Sequence, residues 1–159
     1  MPDFSEVQNI KKRLLTFDEI TILNSIALEY YELGEKKKTL KLLSELKEYL
    51  DEHSIDEEEK SQKYPMIVYN MTKCLGEVER YAEVVELCTE GIEYCISHSK
   101  LNALPYLITN SACATAELKK SESAEILFKR AVTLLEICHK ESFADTVRKT
   151  ARDSYGIVI

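Results

Sequence analysis

The chain has 159 residues, of which 45% are hydrophobic and 31% are charged. A domain of this length buries roughly 70% of its unfolded surface, so it needs neither a disulfide nor a metal ion to fold. The 28 acidic and 21 basic side chains give a net charge of −7, which disfavours binding of nucleic acid through this chain. With 4 Gly and 3 Pro, tight turns are few, and a β-sandwich or barrel is disfavoured.

The sequence has no feature typical of a membrane protein or of a protein from an oxidising compartment. No apolar run approaches the roughly 20 residues of a membrane span, and the N-terminus lacks the apolar core of a signal peptide. The five cysteines include no C-x-x-C pair and are interpreted as small buried hydrophobes in a reducing compartment. We therefore predict a cytoplasmic protein with no membrane contact, no metal site and no cofactor.

Apolar residues recur at helical spacing almost throughout, and no strand is predicted. The predicted helices, in chain order, are a leading helix within 1–15, a second from Thr16 to Gly34, then Lys37 to His53, Ser54 to about Val78 with a bend or restart at Pro65, Tyr81 to Ser97, Leu101 to Leu118, Ser121 to His139 and Ser142 to Tyr155.

Short polar motifs mark the helix ends. Capping boxes occur at Ser5–Gln8, Thr16–Glu19 and Ser54–Glu57, and Ser142 with Asp145 has a similar pattern. Gly34 and Gly156 are placed as the glycines that follow a helix C-terminus.

Three fragments share a pattern of small and apolar residues at the start of a helix. The matching triplets are Thr39/Leu43/Leu46, Val84/Cys88/Gly91 and Ala124/Phe128/Ala131, at spacings of 45 and then 40 residues. Helix pairs recurring at such a period indicate a stacked helical repeat. We therefore predict one repeat domain, 1–159, with helix pairs at 16–53, 54–98 and 99–139, between the leading helix of 1–15 and a C-terminal capping helix and tail at 142–159.

The triplet Ala124, Phe128 and Ala131, introduced by Ser-Glu-Ser, resembles the second helix of a tetratricopeptide repeat. Tyr81 to Val84 is similar to the start of the corresponding helix one pair earlier. The period exceeds the usual length of about 34 residues, and the first-helix Trp is absent. The resemblance implies an all-α, right-handed tetratricopeptide-like superhelix of helical hairpins, with about eight helices.

The phrases FDEITILNSIA and YPMIVYNMTKCL, with a terminal YGI, resemble the C-terminal regions of bacterial helix-turn-helix regulators of the Rgg/PlcR type. This resemblance implies the sensory and dimerisation part of a quorum-sensing transcriptional regulator. Such a part binds a short signalling peptide and forms a homodimer, and its DNA-binding domain is missing from this chain.

An asparagine recurs in the first helix of each predicted pair, as Asn24, Asn70 and Asn110. First helices line the concave face of stacked repeats, so the three amides would form a polar ladder there. A carboxamide both donates and accepts hydrogen bonds, and can pair with the backbone of an extended peptide. The regulators it resembles bind peptides through asparagines in this place. The alternative is that each Asn ties adjacent helices together.

Six further residues share this predicted face and would set specificity: Tyr31, Tyr69, Lys73, Glu77, Tyr106 and Cys113. Tyrosines offer flat apolar area with a polar tip. Lys73 could meet a peptide carboxylate, and Glu77 a basic side chain. Ordinary packing within the repeats accounts for some of the tyrosines.

Catalytic motifs are absent from the sequence, and no catalytic residue is predicted. His53, His98 and His139 recur near the ends of second helices, where a histidine interacts favourably with the last carbonyls. Two rival functions remain open. One is a free-standing adaptor that binds a protein segment, and the other is an enzyme such as a phosphatase.

Overall fold

The computed structural model describes residues 15–53 and 56–159, and all regular structure in these ranges is helical. This confirms the all-α prediction. The helices are α1 (Phe17–Glu32), α2 (Lys36–Glu52), α3 (Glu57–Glu77), α4 (Tyr81–Ser97), α5 (Leu104–Glu117), α6 (Ser121–Ile137) and α7 (Glu141–Tyr155). These seven helices are the last seven of the predicted eight. The leading helix and its Ser5–Gln8 capping box fall outside the described residues, as do Ser54 and Ile55 of the third capping box.

The chain divides into two compact units, Met1–Met71 and Thr72–Ile159, and the division falls inside α3. Unit 1 contains α1, α2 and most of α3. Unit 2 contains the last turns of α3 and the four helices α4 to α7. The single repeat domain over 1–159 stays a prediction.

The second capping box forms as predicted at the start of α1. The Thr16 hydroxyl accepts from the Glu19 amide at 3.2 Å, and the Glu19 carboxylate accepts from the Thr16 amide at 2.9 Å. At the start of α2, the Thr39 hydroxyl donates to the Ala27 carbonyl at 3.2 Å, which ties α2 to α1. The apolar faces of the two helices are buried in unit 1.

Of the two alternatives predicted at Pro65, the restart is wrong, because α3 continues through it as one helix, and the bend stays a prediction. Proline inside a helix removes one hydrogen bond and costs about 3 kcal/mol. The neighbouring side chains Tyr64, Ile67 and Val68 are at most 2% exposed. Burial of three large side chains offsets a penalty of this size.

Left-handed residues end the helices of unit 2 at a regular interval. Glu79, Ser99, Lys119 and His139 have φ of 60°, 55°, 63° and 57°, and they lie 20 residues apart. Each is followed by a residue whose amide donates to a carbonyl in the preceding turn, as Lys100 does to Cys95 at 2.8 Å. This is the Schellman arrangement. Two such helices make the 40-residue period that the sequence shows.

All nine residues of the three aligned triplets are buried, which confirms the repeat alignment. The Gly34 and Gly156 predictions are also confirmed, with φ of 77° and 67°. The Ser142 cap is wrong, since α7 begins at Glu141 after Lys140 and has no side-chain cap. The turn that ends α6 leads directly into α7 and leaves no room for a separate cap.

Two of the three histidines behave as predicted. Nδ1 of His53 lies 3.1 Å from the Tyr49 carbonyl, and Nδ1 of His98 lies 2.9 Å from the Tyr94 carbonyl. Each ring also stacks on that tyrosine, at centroid distances of 4.3 Å and 4.0 Å. His139 differs, because its backbone occupies the left-handed position and its side chain is 90% exposed.

Candidate functional site

Helix α5 is buried on every side except along one narrow stripe. Of its residues, those that keep solvent exposure are Tyr106, Thr109, Asn110, Cys113 and Glu117. These positions follow a spacing of three and four residues, which places them on one face of the helix. We call this set the open stripe of α5.

The open stripe of α5 contains the three residues of this helix that the sequence predicts as site residues. It also contains Thr109 and Glu117, which the sequence reasoning missed. Glu117 follows Cys113 by four residues, so extending the same spacing by one turn would have found it.

Helix α3 has an open stripe of its own, beginning at Met66. Between this residue and the end of the helix, the positions that are not buried are Met66, Tyr69 and Asn70 in unit 1, and Lys73, Gly76 and Glu77 in unit 2. All four predicted site residues of α3 lie on it. Met66, which is 50% exposed, was missed.

Asn24 and Tyr31 lie on the inner side of α1. Asn24 is only 7% exposed and shares the buried face of Ile20 and Ala27. Its Oδ1 accepts a hydrogen bond from Nδ2 of Asn70 at 3.3 Å. The structure therefore brings two predicted asparagines together in unit 1, while Tyr31 is half-buried further along the helix.

The third asparagine makes an equivalent bond in unit 2. Nδ2 of Asn110 donates to the Thr72 hydroxyl at 3.0 Å, and Thr72 is 1% exposed. Thr72 also lies beside the Cys88 thiol, so α3, α4 and α5 meet at this point. Each asparagine thus ties two helices together, as the alternative interpretation expected.

These hydrogen bonds use one N–H of the Asn70 amide and one N–H of the Asn110 amide. A carboxamide has two N–H donors and an oxygen with two lone pairs. Within the described residues, the Oδ1 atoms of Asn70 and Asn110 accept no hydrogen bond. Neither oxygen is among the fully buried side-chain atoms without a hydrogen bond in the described residues, so both keep contact with solvent. Both amides therefore keep a donor and an acceptor for another molecule.

Tyr155, at the end of α7, lies at the other end of the open stripe of α5, near Cys113 and Glu117. Burial and then the neighbouring Cys113 and Glu117 raise the pKa of Tyr155, so the phenol stays protonated.

Aromatic and basic groups surround Tyr106 at the start of the same stripe. The Phe143 ring lies 4.8 Å from the Tyr106 ring between centroids. The Lys140 ammonium lies 5.5 Å from the Tyr106 centroid, within cation–π range. On α3, Lys73 and Glu77 are exposed, one turn apart.

Three of the cysteines, Cys88, Cys95 and Cys113, are poor nucleophiles. Burial raises the pKa of the Cys88 thiol to about 12, and burial also raises the pKa of Cys113 and Cys95. None of the five cysteines forms a disulfide; Cys74, Cys88 and Cys95 are buried, and Cys113 and Cys138 are half-buried. In residues 15–53 and 56–159, no group of three His, Cys, Asp or Glu side chains is arranged to hold a metal ion.

Paired helices with buried repeat markers and polar open stripes define a tetratricopeptide-like helical repeat domain. The chain belongs to the RNPP family, because the sequence profile of the RNPP family C-terminal domain matches residues 5–154. This bears out the regulator family that the sequence resembles. None of the curated protein sequences is similar enough to count as a relative.

A solved structure is similar in fold. It is the crystal structure of Bacillus thuringiensis PlcR in complex with the peptide PapR7 and DNA, with a TM-score of 0.73 and 21% sequence identity. The similarity covers 89% of this chain and 51% of the PlcR chain, so this chain spans about half the length of PlcR. It confirms the tetratricopeptide-like architecture. Within the described residues, no helix is both long and apolar enough to cross a membrane.

Proposed function

We propose that this chain is the peptide-binding sensory domain of a bacterial transcriptional regulator that responds to a quorum-sensing signal. Its ligand is a short peptide in extended conformation, and the contact residues proposed for it are Asn70 in unit 1 and Asn110 in unit 2. The amides of Asn70 and Asn110 carry the proposal, since each has bonding groups left over and lies on the one stripe of its helix that is not buried. Membership of the RNPP family and the peptide and DNA bound to PlcR support it.

An amide suits this task because the backbone of an extended peptide alternates N–H and C=O groups. One carboxamide can accept from an N–H and donate to a C=O of the same peptide, whatever its side chains are. The side chains around the amides then select the sequence. Tyr69 and Tyr106 offer flat surfaces, Lys73 offers a cation for a peptide carboxylate, and Glu77 offers an anion.

Asn24 contributes to peptide binding indirectly, through its hydrogen bond with Asn70. Its bond to Asn70 is long at 3.3 Å, against the usual 2.9 to 3.0 Å. The internal contact that orients the Asn70 amide is therefore weak, and a peptide bound to its remaining groups can reorient it. Signalling requires that the peptide bind one helix arrangement better than another, so that binding shifts their populations. We propose that changes at the Asn24–Asn70 and Asn110–Thr72 bonds transmit this shift to a DNA-binding domain joined to this one.

Binding and not catalysis is the function proposed, because the predicted site presents amides and phenols and no reactive nucleophile. The partners proposed are the peptide and a second copy of the chain in a homodimer. DNA contact belongs to the attached domain, because this chain carries a net charge of −7. The compartment proposed is the cytoplasm.

The test begins with selection of binders from a random library of short peptides on the purified chain. Affinities for Asn70→Ala and Asn110→Ala are then compared with wild type by calorimetry. We expect each substitution to weaken binding about tenfold, the value of one or two hydrogen bonds. Asn102→Ala is the matched control, because Asn102 is exposed in the turn before α5, outside both stripes.

Binding by the double variant as tight as by wild type would refute the proposal. Selection that yields no binder would also refute it. Thermal melts of each variant show whether any loss of binding is a loss of folding.

A further inference from the structure

We propose that Thr72 is a positioning residue for peptide binding, because its hydroxyl holds the Asn110 amide in the orientation that presents Oδ1 to the peptide. Thr72 is 1% exposed and lies outside the open stripe of α3, so it does not touch the peptide itself. The inference rests on the proposed function and deepens it, since it names the residue that decides which end of an asparagine faces the ligand.

The first observation is the direction of the hydrogen bond between α5 and α3. Nδ2 of Asn110 donates to the Thr72 hydroxyl oxygen at 3.0 Å, an ordinary length for such a bond. Nδ2 and Oδ1 are the two branches of one planar group, so a bond that holds Nδ2 against Thr72 directs Oδ1 away from it. Because Oδ1 keeps contact with solvent, an acceptor is exposed on the open stripe of α5.

The second observation is that Thr72 is itself held in place. A β-branched side chain has few rotamers in a helix, and Thr72 is packed beside the Cys88 thiol of α4, which is 0% exposed. A hydroxyl fixed in this way is a better anchor than a side chain that is free to turn. The Asn70 amide has a weaker anchor, because its partner Asn24 is another amide, at 3.3 Å.

The orientation of the amide matters because its two ends have opposite hydrogen-bonding character. The χ2 torsion of asparagine is broad, so an amide without an anchor can turn Nδ2 to the place of Oδ1. A peptide N–H would then meet a donor and not an acceptor, and its hydrogen bond would be lost on binding. An anchored amide avoids this loss, and it also loses less entropy when the peptide binds. Thr72 should therefore contribute to the affinity although it makes no contact with the peptide.

The experiment compares variants of the purified chain with wild type, using a peptide selected from the random library. Thr72→Val removes the hydroxyl and should weaken binding about tenfold, while Thr72→Ser keeps the hydroxyl and should restore most of the affinity. Thr115→Val is the matched control, because Thr115 is a threonine of α5 that is 6% exposed, whereas the hydroxyl that Asn110 contacts is that of Thr72. Thermal melts show whether each variant is folded at the assay temperature.

N-methylation of the peptide gives a readout that a merely structural role of Thr72 would not change. Methylation of the peptide N–H that Asn110 accepts should weaken binding about tenfold to wild type and to Thr72→Ser, and it should have little effect on Thr72→Val. If Thr72→Val does not fold, Thr72→Ala, which suits a helix, is held to the same result.

An N-methyl effect as large in Thr72→Val or Thr72→Ala as in wild type would overturn the positioning role. Equal losses of affinity in Thr72→Ser and Thr72→Val would also overturn it, and so would the absence of an N-methyl effect in wild type at every position. These results leave peptide binding standing, whereas failure to select any peptide would overturn the proposed function itself.

Discussion

The four residues that end the helices of unit 2 in the left-handed conformation should each lower the stability of the folded protein. Glu79, Ser99, Lys119 and His139 all have φ between 55° and 63°, and all four are exposed. A residue with a Cβ pays about 1 to 2 kcal/mol in this region. Glycine avoids that cost. It also makes the unfolded chain more flexible, which reduces the gain in the free energy of unfolding by about 0.5 to 1 kcal/mol.

Replacing Lys119 by glycine should therefore stabilise the protein by about 0.5 to 1 kcal/mol. The four sites are separate helix ends, so the quadruple glycine variant should gain about 2 to 4 kcal/mol. For a protein of this size, that raises Tm by about 5 to 10 °C. Thermal unfolding followed by far-UV circular dichroism measures it.

Glu86→Gly is the control, because Glu86 is exposed in the interior of α4 with ordinary helical backbone. That change should cost about 1 kcal/mol. If Lys119→Gly lowered Tm as Glu86→Gly does, the explanation of the 20-residue spacing by Schellman turns would be refuted.

Three further predictions concern stability and reactivity. Thr16→Ala removes the capping box of α1 and should cost about 1 kcal/mol in urea unfolding, and no change would contradict the role of the box. Phe128→Ala, at a side chain that is 0% exposed, should cost about 3 to 5 kcal/mol, whereas Ile126→Ala, at 61% exposure, should cost far less. Because Cys88 is 0% exposed and burial raises the pKa of its thiol to about 12, iodoacetamide at about pH 8 should leave it unmodified in the native protein and alkylate it in urea, as read by mass spectrometry; rapid native labelling would contradict the assigned burial.

The repeat architecture could be predicted because its signals are local. The triplets beginning at Thr39, Val84 and Ala124 show small and apolar residues at fixed spacing, and close helix packing needs such residues wherever they occur. The same spacing located the asparagines and most of the open stripes. Glu117 and Met66 were missed because a carboxylate and a methionine carry no motif, and only the burial of their neighbours distinguishes them.

Helix ends were less predictable where no special residue marks them. Gly34 and Gly156 were found because glycine signals a left-handed turn. Lys119 and His139 occupy the same conformation without that signal. The sequence could not decide between a bend and a restart of the helix at Pro65, because the buried side chains that offset the proline come from tertiary packing.

The hydrogen bonds of the asparagines could not be read from the sequence at all. Their recurrence indicated a shared role, and both peptide binding and helix tying fit it. The structure shows the ties to Asn24 and Thr72, and it leaves the oxygens of Asn70 and Asn110 available. The two roles are compatible in one residue because a carboxamide has more than one bonding group.

The most direct test of the central claim is a backbone N-methyl scan of a selected peptide. Each peptide N–H is replaced in turn by N–CH₃, and affinity is measured for wild type and Asn110→Ala. If the Asn110 oxygen accepts a peptide N–H, one N-methyl substitution should weaken wild-type binding about tenfold and have little effect on the variant. An N-methyl effect of equal size in both proteins at every position would contradict backbone recognition by Asn110.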